Sequence, residues 1–215
     1  ITAYTCGDLF LQSLLLEEAL KSLSRICDAT GNLSIVALVG LPIAVSNRLY
    51  NMAVVVSGGR VMGAVPKTFL PNYNEFYEKR WFSSSEELKE KTITLFNRSV
   101  PVGVDLIFKT ELFNFSIDVC EDLWTPIPPS SISCLNGAEV IFNLSASNET
   151  TGKHLYRKSL VSQQSARCIS GYVYAASGNG ESTTDIIFAG SSMIAENGSI
   201  LTEGERFSFD SKVTV

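Results

Sequence analysis

A chain of 215 residues, 45% hydrophobic and 18% charged, carries enough apolar mass for a globular domain with a sizeable core. Its net charge of −5 comes without any Lys/Arg run, which argues against a nucleic-acid surface, and no apolar stretch reaches the roughly 20 residues of a membrane span. Five scattered cysteines, none in a C-x-x-C pair, point to a reducing, cytoplasmic setting, and a single histidine, His154, leaves no zinc ligand set.

Leu9, Leu16, Leu20, Leu23 and Ile26 recur at helical spacing and predict an amphipathic helix from Asp8 to Thr30, with Gly31 as its stop. The apolar run from Leu33 to Gly40, ending in Gly-Leu-Pro, predicts a buried strand. Met52–Val56 and Arg60–Val65 flank Ser57-Gly58-Gly59, the pattern of a hairpin. From Phe69 to Ser85 the chain is aromatic, contains Pro and Asn, and lacks periodicity, so an ordered loop is expected. Val104–Phe108 and Leu112–Val119 form a further strand pair, with Phe113, Phe115, Ile117 and Val119 alternating onto one face. Pro128–Asn136 reads as a short helix closed by Gly137, Glu139–Leu144 as a strand and Lys153–Ile169 as a helix. Tyr172–Ala176, Ile186–Phe188 and Ser192–Ala195 read as strands joined by Gly, Ser and Asn turns. Lys212–Val215 reads like a strand in mid-course. With that ending and no Met at Ile1, a piece of a longer protein is expected. Alternating strands and helices, hairpins and the lack of an interior linker favour a layered α/β sandwich with a mixed sheet, a single domain over residues 1–215.

Cys120 is the strongest candidate for chemistry. It ends an alternating strand and is followed at once by Glu121-Asp122-Leu-Trp124 and the turn Thr125-Pro-Ile-Pro-Pro129. A strand-to-turn junction lifts one side chain out of the sheet and aims the next backbone N–H groups at whatever it attacks. The same position equally suits a small, inert core cysteine. A reactive thiolate beside Glu121 and Asp122 needs a compensating cation. Lys67, in Val-Pro-Lys-Thr-Phe-Leu-Pro where a strand passes into the aromatic loop, is placed for that role or for plain solvation. Glu75, eight residues later, is either the carboxylate that fixes this ammonium or an exposed loop residue. Ser57-Gly58-Gly59 continues as Arg60-Val61 and lacks the Asp-Ser of a pyrophosphate loop, so it remains a hairpin turn.

The run Pro66-Lys67-Thr-Phe-Leu-Pro-Asn-Tyr73-Asn-Glu75-Phe-Tyr-Glu-Lys-Arg-Trp-Phe82, with Asp118-Val-Cys120-Glu121-Asp122-Leu-Trp124, resembles the glutaminase domain of glutamine-dependent NAD synthetases, within the nitrilase (carbon–nitrogen hydrolase) superfamily. Further blocks agree: Asn143-Leu-Ser-Ala-Ser147, Ala189-Gly-Ser-Ser192, Ala195-Glu-Asn-Gly198 and the opening Ala3-Tyr-Thr-Cys-Gly-Asp-Leu-Phe10.

The resemblance implies a nitrilase-like α-β-β-α sandwich, incomplete at its N-terminus, and a Glu-Lys-Cys triad. Cys120 is then the nucleophile, Lys67 the lysine that stabilises the oxyanion with the Glu121 backbone N–H, and Glu75 the second, supporting glutamate. The general-base glutamate lies, in the family, in a Pro-Glu-Leu stretch that here would precede Ile1, so the 215-residue piece is expected to be inactive alone. Tyr73, Ser147 and Lys153 match glutamine-contacting positions. A free amino acid also offers a carboxylate to Lys153 and an ammonium to Glu121, with Trp124 lining the side-chain slot. Tyr73 packed in the loop and Lys153 solvated are the plainer alternatives for those two residues. The implied substrate is L-glutamine, and the implied partners are a C-terminal NAD synthetase domain and further copies of the chain. No cofactor is expected in this domain, and ATP with Mg²⁺ is expected in the synthetase domain. A free-standing amidase or carbamoylase, and a non-catalytic assembly domain, are the competing readings.

Overall fold

Residues 1–181, 186–211 and 213–215 are described by the computed structural model, and their contacts divide into two units, Ile1–Leu106 and Ile107–Val215. In the first unit, a helix α1 (Ser13–Thr30) lies against a three-stranded antiparallel sheet in the order β1 (Val36–Val45), β2 (Arg48–Ser57), β3 (Arg60–Pro66). Ala19, Leu23 and Cys27, at helical spacing on α1, meet Leu41, Ile43, Tyr50, Met52, Val54 and Val56 of the sheet. A second hairpin, β4 (Thr92–Leu95) and β5 (Arg98–Pro101), adds Ile93, Leu95 and Val100 to the same core, and Val102 just beyond it bridges to Ala64 of β3.

Three two-residue turns close these hairpins, each with both central residues at positive φ: Ser46-Asn47, Gly58-Gly59 and Phe96-Asn97. That handedness matches the twist of the strands they join. Gly59 is also fixed by packing, since a β-carbon there would lie 3.1 Å from the Gly31 Cα at the end of α1.

The second unit is a six-stranded mixed sheet. Its elements are β6 (Phe108–Lys109), β7 (Asn114–Val119), α2 (Pro129–Leu135), β8 (Val140–Ser145), α3 (Lys153–Cys168), β9 (Gly171–Ala176), β10 (Ser192–Glu196) and β11 (Ser199–Glu203). The order is β11-β10-β9-β8-β7-β6, with β7, β8 and β9 parallel and the flanking pairs antiparallel. Parallel neighbours need crossover connections, and α2 and α3 supply them. Leu123, Ile141, Val161, Tyr172, Tyr174 and Met193 form the core of this unit. The buried side of α3 is largely polar: Arg157, Gln164 and Ser165 are fully enclosed beside Val161.

The expected mixed α/β architecture is present, with local corrections. The first helix is interrupted: a 3-10 turn spans Gly7–Leu11, Gln12 is extended at φ −96° and ψ 126°, and the α-helix begins only at Ser13. Leu9, read as part of the helical stripe, is exposed. The strand expected over 33–40 runs instead over β1, through Pro42, which a sheet edge tolerates because a missing N–H costs no ladder bond there. Val104–Ile107 precede the short β6 rather than belonging to it, and Ile186–Phe188 are irregular. The pair β4–β5 and the last strand β11 were not foreseen. Of the ending Lys212–Val215, Lys212 lies outside the described residues, and Val213–Val215 take no regular structure. Among the described residues no helix is long and apolar enough to cross a membrane.

Candidate active site

The parallel strands β7 and β8 end side by side, and the chain beyond each carries candidate residues, as open α/β sheets place ligands beyond their strand carboxyl ends. Cys120 follows β7 directly and opens a 3-10 turn, Cys120–Trp124. Its φ is +49°, a left-handed conformation that costs a residue with a β-carbon about 1–2 kcal/mol. Such strain persists only where neighbours over-determine it. Here the Val119 N–H donates to Asp122 Oδ2 at 2.9 Å, and the Cys120 N–H donates to Asn143 Oδ1 at 3.2 Å. The thiol is half-buried and free of any disulfide.

Behind the cysteine lies a closed polar chain. Asn143 Nδ2 donates to the Tyr172 hydroxyl at 3.1 Å, Tyr172 donates to Asp118 Oδ2 at 2.9 Å, and the Ser130 N–H at the start of α2 donates to Asp118 Oδ1 at 3.0 Å. Burial pushes the Asp118 carboxyl up to about 6, against the pull of the Ser130 and Tyr172 hydrogen bonds. Burial, reinforced by the Asp118 charge, also holds the Tyr172 phenol well above its usual value.

Trp124, Lys153 and Ser147 gather in this same unit. The Lys153 ammonium, at the start of α3, sits 5.4 Å from the centre of the Trp124 ring and donates to Asn148 Oδ1. Trp124 in turn packs on Tyr156 at 5.5 Å. Ser147 is buried, and the nearby Tyr174 hydroxyl donates to Ser145 Oγ at 2.7 Å. Burial raises the Tyr174 phenol, and charge on Cys120 acts in the same direction. Glu121 is half-buried on the 3-10 turn. Arg157, not singled out by sequence, is fully buried and holds Glu149 Oε2 at 3.0 Å, Ser191 Oγ at 2.8 Å and the Asn148 carbonyl at 3.1 Å. Lys153 and Arg157 thus brace one asparagine from two sides.

Lys67, Tyr73 and Glu75 belong to the first unit. Lys67 follows β3; its N–H donates to the Asn51 carbonyl and its own carbonyl accepts from the Ser85 N–H, which pins the residue between β2 and the far end of the aromatic loop. Its ammonium lies 2.8 and 2.9 Å from the two carboxylate oxygens of Glu78. Glu75, the carboxylate singled out in the sequence, stands at an exposed position, whereas Glu78 is enclosed. Tyr73 is half exposed, its ring edge-on to Phe76 at 5.9 Å. The pairing with Glu78 left one trace in the sequence, the motif Glu-Phe-Tyr-Glu, in which either acid could serve.

His154 Nε2 lies 2.8 Å from Glu203 Oε1, a local tie between α3 and β11. Among the described residues no cluster of His, Cys, Asp and Glu converges as a metal site would require.

The carbon–nitrogen hydrolase family model matches residues 1–209. The glutamine-dependent NAD(+) synthetase of Mycobacterium tuberculosis is 41% identical over 210 residues, covering 96% of this chain and 31% of that protein. The structure of a glutamine-dependent NAD(+) synthetase from Cytophaga hutchinsonii superposes with a TM-score of 0.85 at 30% identity, over 97% of this chain and 33% of that one. An amidase of the nitrilase superfamily from Nesterenkonia, at 16% identity and a TM-score of 0.74 over 94% of this chain and 69% of that one, shares the fold. The chain thus spans about a third of the length of the curated relatives it matches. A strained cysteine at a parallel-strand end, a nitrilase-like fold and a family match across nearly all its residues lead to one assignment: the chain belongs to the carbon–nitrogen hydrolase family.

Proposed function

We propose that this chain hydrolyses the side-chain amide of L-glutamine and supplies the ammonia to a synthetase domain that converts deamido-NAD to NAD with ATP and Mg²⁺. The observation that carries the reading is Cys120, held left-handed at the end of β7 inside a region similar to glutamine-dependent NAD synthetases. Cys120 Sγ attacks the amide carbon, the proton given up by the thiol is delivered to the amide nitrogen, the C–N bond breaks and ammonia leaves. Water then cleaves the thioester to glutamate and restores the thiol. By the resemblance, Lys67 takes the role of the cation that stabilises the developing oxyanion, and the Glu121 N–H that of a second donor. Glu78, whose two carboxylate oxygens hold the Lys67 ammonium, supports that lysine in this reading in place of the exposed Glu75.

In this reading Lys153, Trp124, Ser147 and Glu121 of the second unit make the amino-acid subsite, and Tyr73 keeps the glutamine-contacting role that the resemblance implies. The ammonium over the Trp124 ring suits the glutamine carboxylate, and Glu121 suits the glutamine ammonium. The hydrolytic step itself needs no cofactor. Free thiols fit a cytoplasmic enzyme, and assembly into a homo-oligomer belongs to the same reading. Ammonia release by the intact protein from glutamine, asparagine and simple aliphatic amides tests it. Strong preference for glutamine supports the reading, and preference for an aliphatic amide overturns it in favour of a free-standing amidase.

A further inference from the structure

The left-handed backbone at Cys120 needs a device that holds it, and one residue touches both of its backbone polar groups. Asn143 stands on β8 opposite Asp118 of β7 in parallel register, two residues before Cys120's own level. Its Oδ1 accepts the Cys120 N–H at 3.2 Å, and its Nδ2 reaches the Cys120 carbonyl in a longer contact of 3.5 Å. The carboxamide therefore brackets a single residue from both ends. The same Nδ2 donates to Tyr172, which is anchored on Asp118 and, through it, on the Ser130 N–H. Asp118 and Tyr172 are 0% exposed and Asn143 1%.

A fully buried polar chain of this kind is costly unless every member is satisfied, and here each finds its partner. An apolar side chain at 143 would leave the Cys120 N–H without its acceptor and the Tyr172 oxygen without its donor. An aspartate would keep the acceptor, lose both donated bonds and face the Asp118 carboxyl. The carboxamide of asparagine presents an acceptor and two N–H groups in one plane.

Geometry gives this clamp a consequence for chemistry. The Cys120 carbonyl and the Glu121 N–H belong to one planar trans peptide and point in opposite directions. Holding the carbonyl toward Asn143 turns the Glu121 N–H away from β8, and that N–H is the donor the proposed mechanism uses. We propose that Asn143 is a positioning residue for the nucleophile: by clamping both backbone groups of Cys120 it fixes the left-handed elbow, aims Sγ and sets the plane of the Cys120–Glu121 peptide, while Tyr172 and Asp118 lock the Asn143 rotamer. This rests on the reading of Cys120 as the nucleophile.

The test uses the intact protein with Asn143→Asp, Asn143→Ala, Tyr172→Phe and, as the reference for the nucleophile itself, Cys120→Ala. Three quantities are read: kcat and KM for glutamine, the rate of iodoacetamide alkylation at the Cys120 peptide by mass spectrometry, and the melting temperature. Misplacement of a reacting group by about 1 Å costs on the order of 100-fold, so Asn143→Asp should lower kcat between roughly tenfold and 100-fold with KM within about threefold. Alkylation of Cys120 should slow in parallel, and Tyr172→Phe should show the same pattern more weakly. Should Asn143→Ala fail to fold, the near-isosteric Asn143→Asp carries the test. Wild-type kcat and alkylation in a folded Asn143→Asp, or a loss expressed wholly in KM, overturns the inference. If Cys120→Ala still turns over glutamine, the reading of the nucleophile fails instead, and the two failures are told apart.

Discussion

Lys67 and Glu78 face each other at 2.8 and 2.9 Å, and each side chain is 1% exposed. Both carboxylate oxygens engage one ammonium, so the lysine is held as a fixed cation in a place water does not reach. Enclosed pairs of this kind add little net stability, yet removing one partner leaves a buried charge unmatched and costs about 3–5 kcal/mol.

Glu78→Gln is therefore expected to destabilise the protein by an amount approaching that range, and to lower glutamine-driven kcat at least tenfold by releasing Lys67. Thermal unfolding and steady-state kinetics on the intact protein check both halves. A variant with unchanged melting and unchanged kcat would show that the pair matters neither to the fold nor to the reaction.

Cys120→Ala should abolish glutamine-driven NAD formation in the intact protein and leave formation from added ammonium salt in place. Loss of a covalent nucleophile costs many orders of magnitude, whereas amidation of deamido-NAD belongs to the other domain in the proposed scheme. Glutamine-driven turnover above a few per cent of wild type would remove Cys120 from the mechanism.

Lys153→Ala and Tyr73→Phe should act chiefly on the affinity for glutamine. A charged hydrogen bond to a ligand carboxylate is worth about 1.5–3 kcal/mol, or roughly 10- to 150-fold, so KM should rise by up to that factor in Lys153→Ala. For Tyr73→Phe, the loss of one neutral hydrogen bond of about 1 kcal/mol gives a rise of roughly fivefold. Glutamine kinetics decide, and a KM unmoved in both variants would place the amino acid elsewhere.

Asp118 gives a prediction in pH. Burial raises its carboxyl from the ordinary 3.8 to about 6, so the folded protein holds this proton more tightly than the unfolded chain. The stabilisation it contributes is fully present below about pH 4 and is lost as pH rises through 6, in total about 3 kcal/mol. Asp118→Asn keeps an acceptor for the Ser130 N–H and carries no charge. Its melting temperature relative to wild type should therefore climb between pH 4.5 and 7 (the window in which wild type ionises), on the order of several degrees for a chain of this size. A difference that stays flat, or falls as pH rises, contradicts the assignment.

Short-range chemistry was legible without coordinates. Gly58-Gly59 and Asn197-Gly198 are residues that accept positive φ cheaply, and both form the turns their sequence announces. The apolar spacing of α1 and the alternation in β7 depend only on neighbours along the chain, and the strand-to-turn junction at Cys120 was visible for the same reason. Ser46-Asn47 and Phe96-Asn97 make equivalent turns in which only the asparagine favours positive φ, so the full length of the β1–β2 hairpin and the pair β4–β5 became evident only once the strands were paired. The break at Gln12 likewise runs against an uninterrupted helical pattern.

The sequence by itself determined the class of fold, the cysteine at the strand end, and the lysine beyond β3, because each follows from local pattern and motif. Tertiary structure decided which groups hold them. Whether Glu75 or Glu78 meets Lys67 depends on the path of an aperiodic loop with two acids three residues apart, and only Glu78 is turned inward. Asn143 reaches Cys120 across 23 residues because β7 and β8 run parallel in one register, a relation set by pairing between strands. Arg157 is polar on the buried side of α3, and its place among Glu149, Asn148 and Ser191 exists only when segments 34 residues apart converge. Local propensity is written along the chain, while buried polar partners are chosen by whichever groups the fold brings within hydrogen-bond reach.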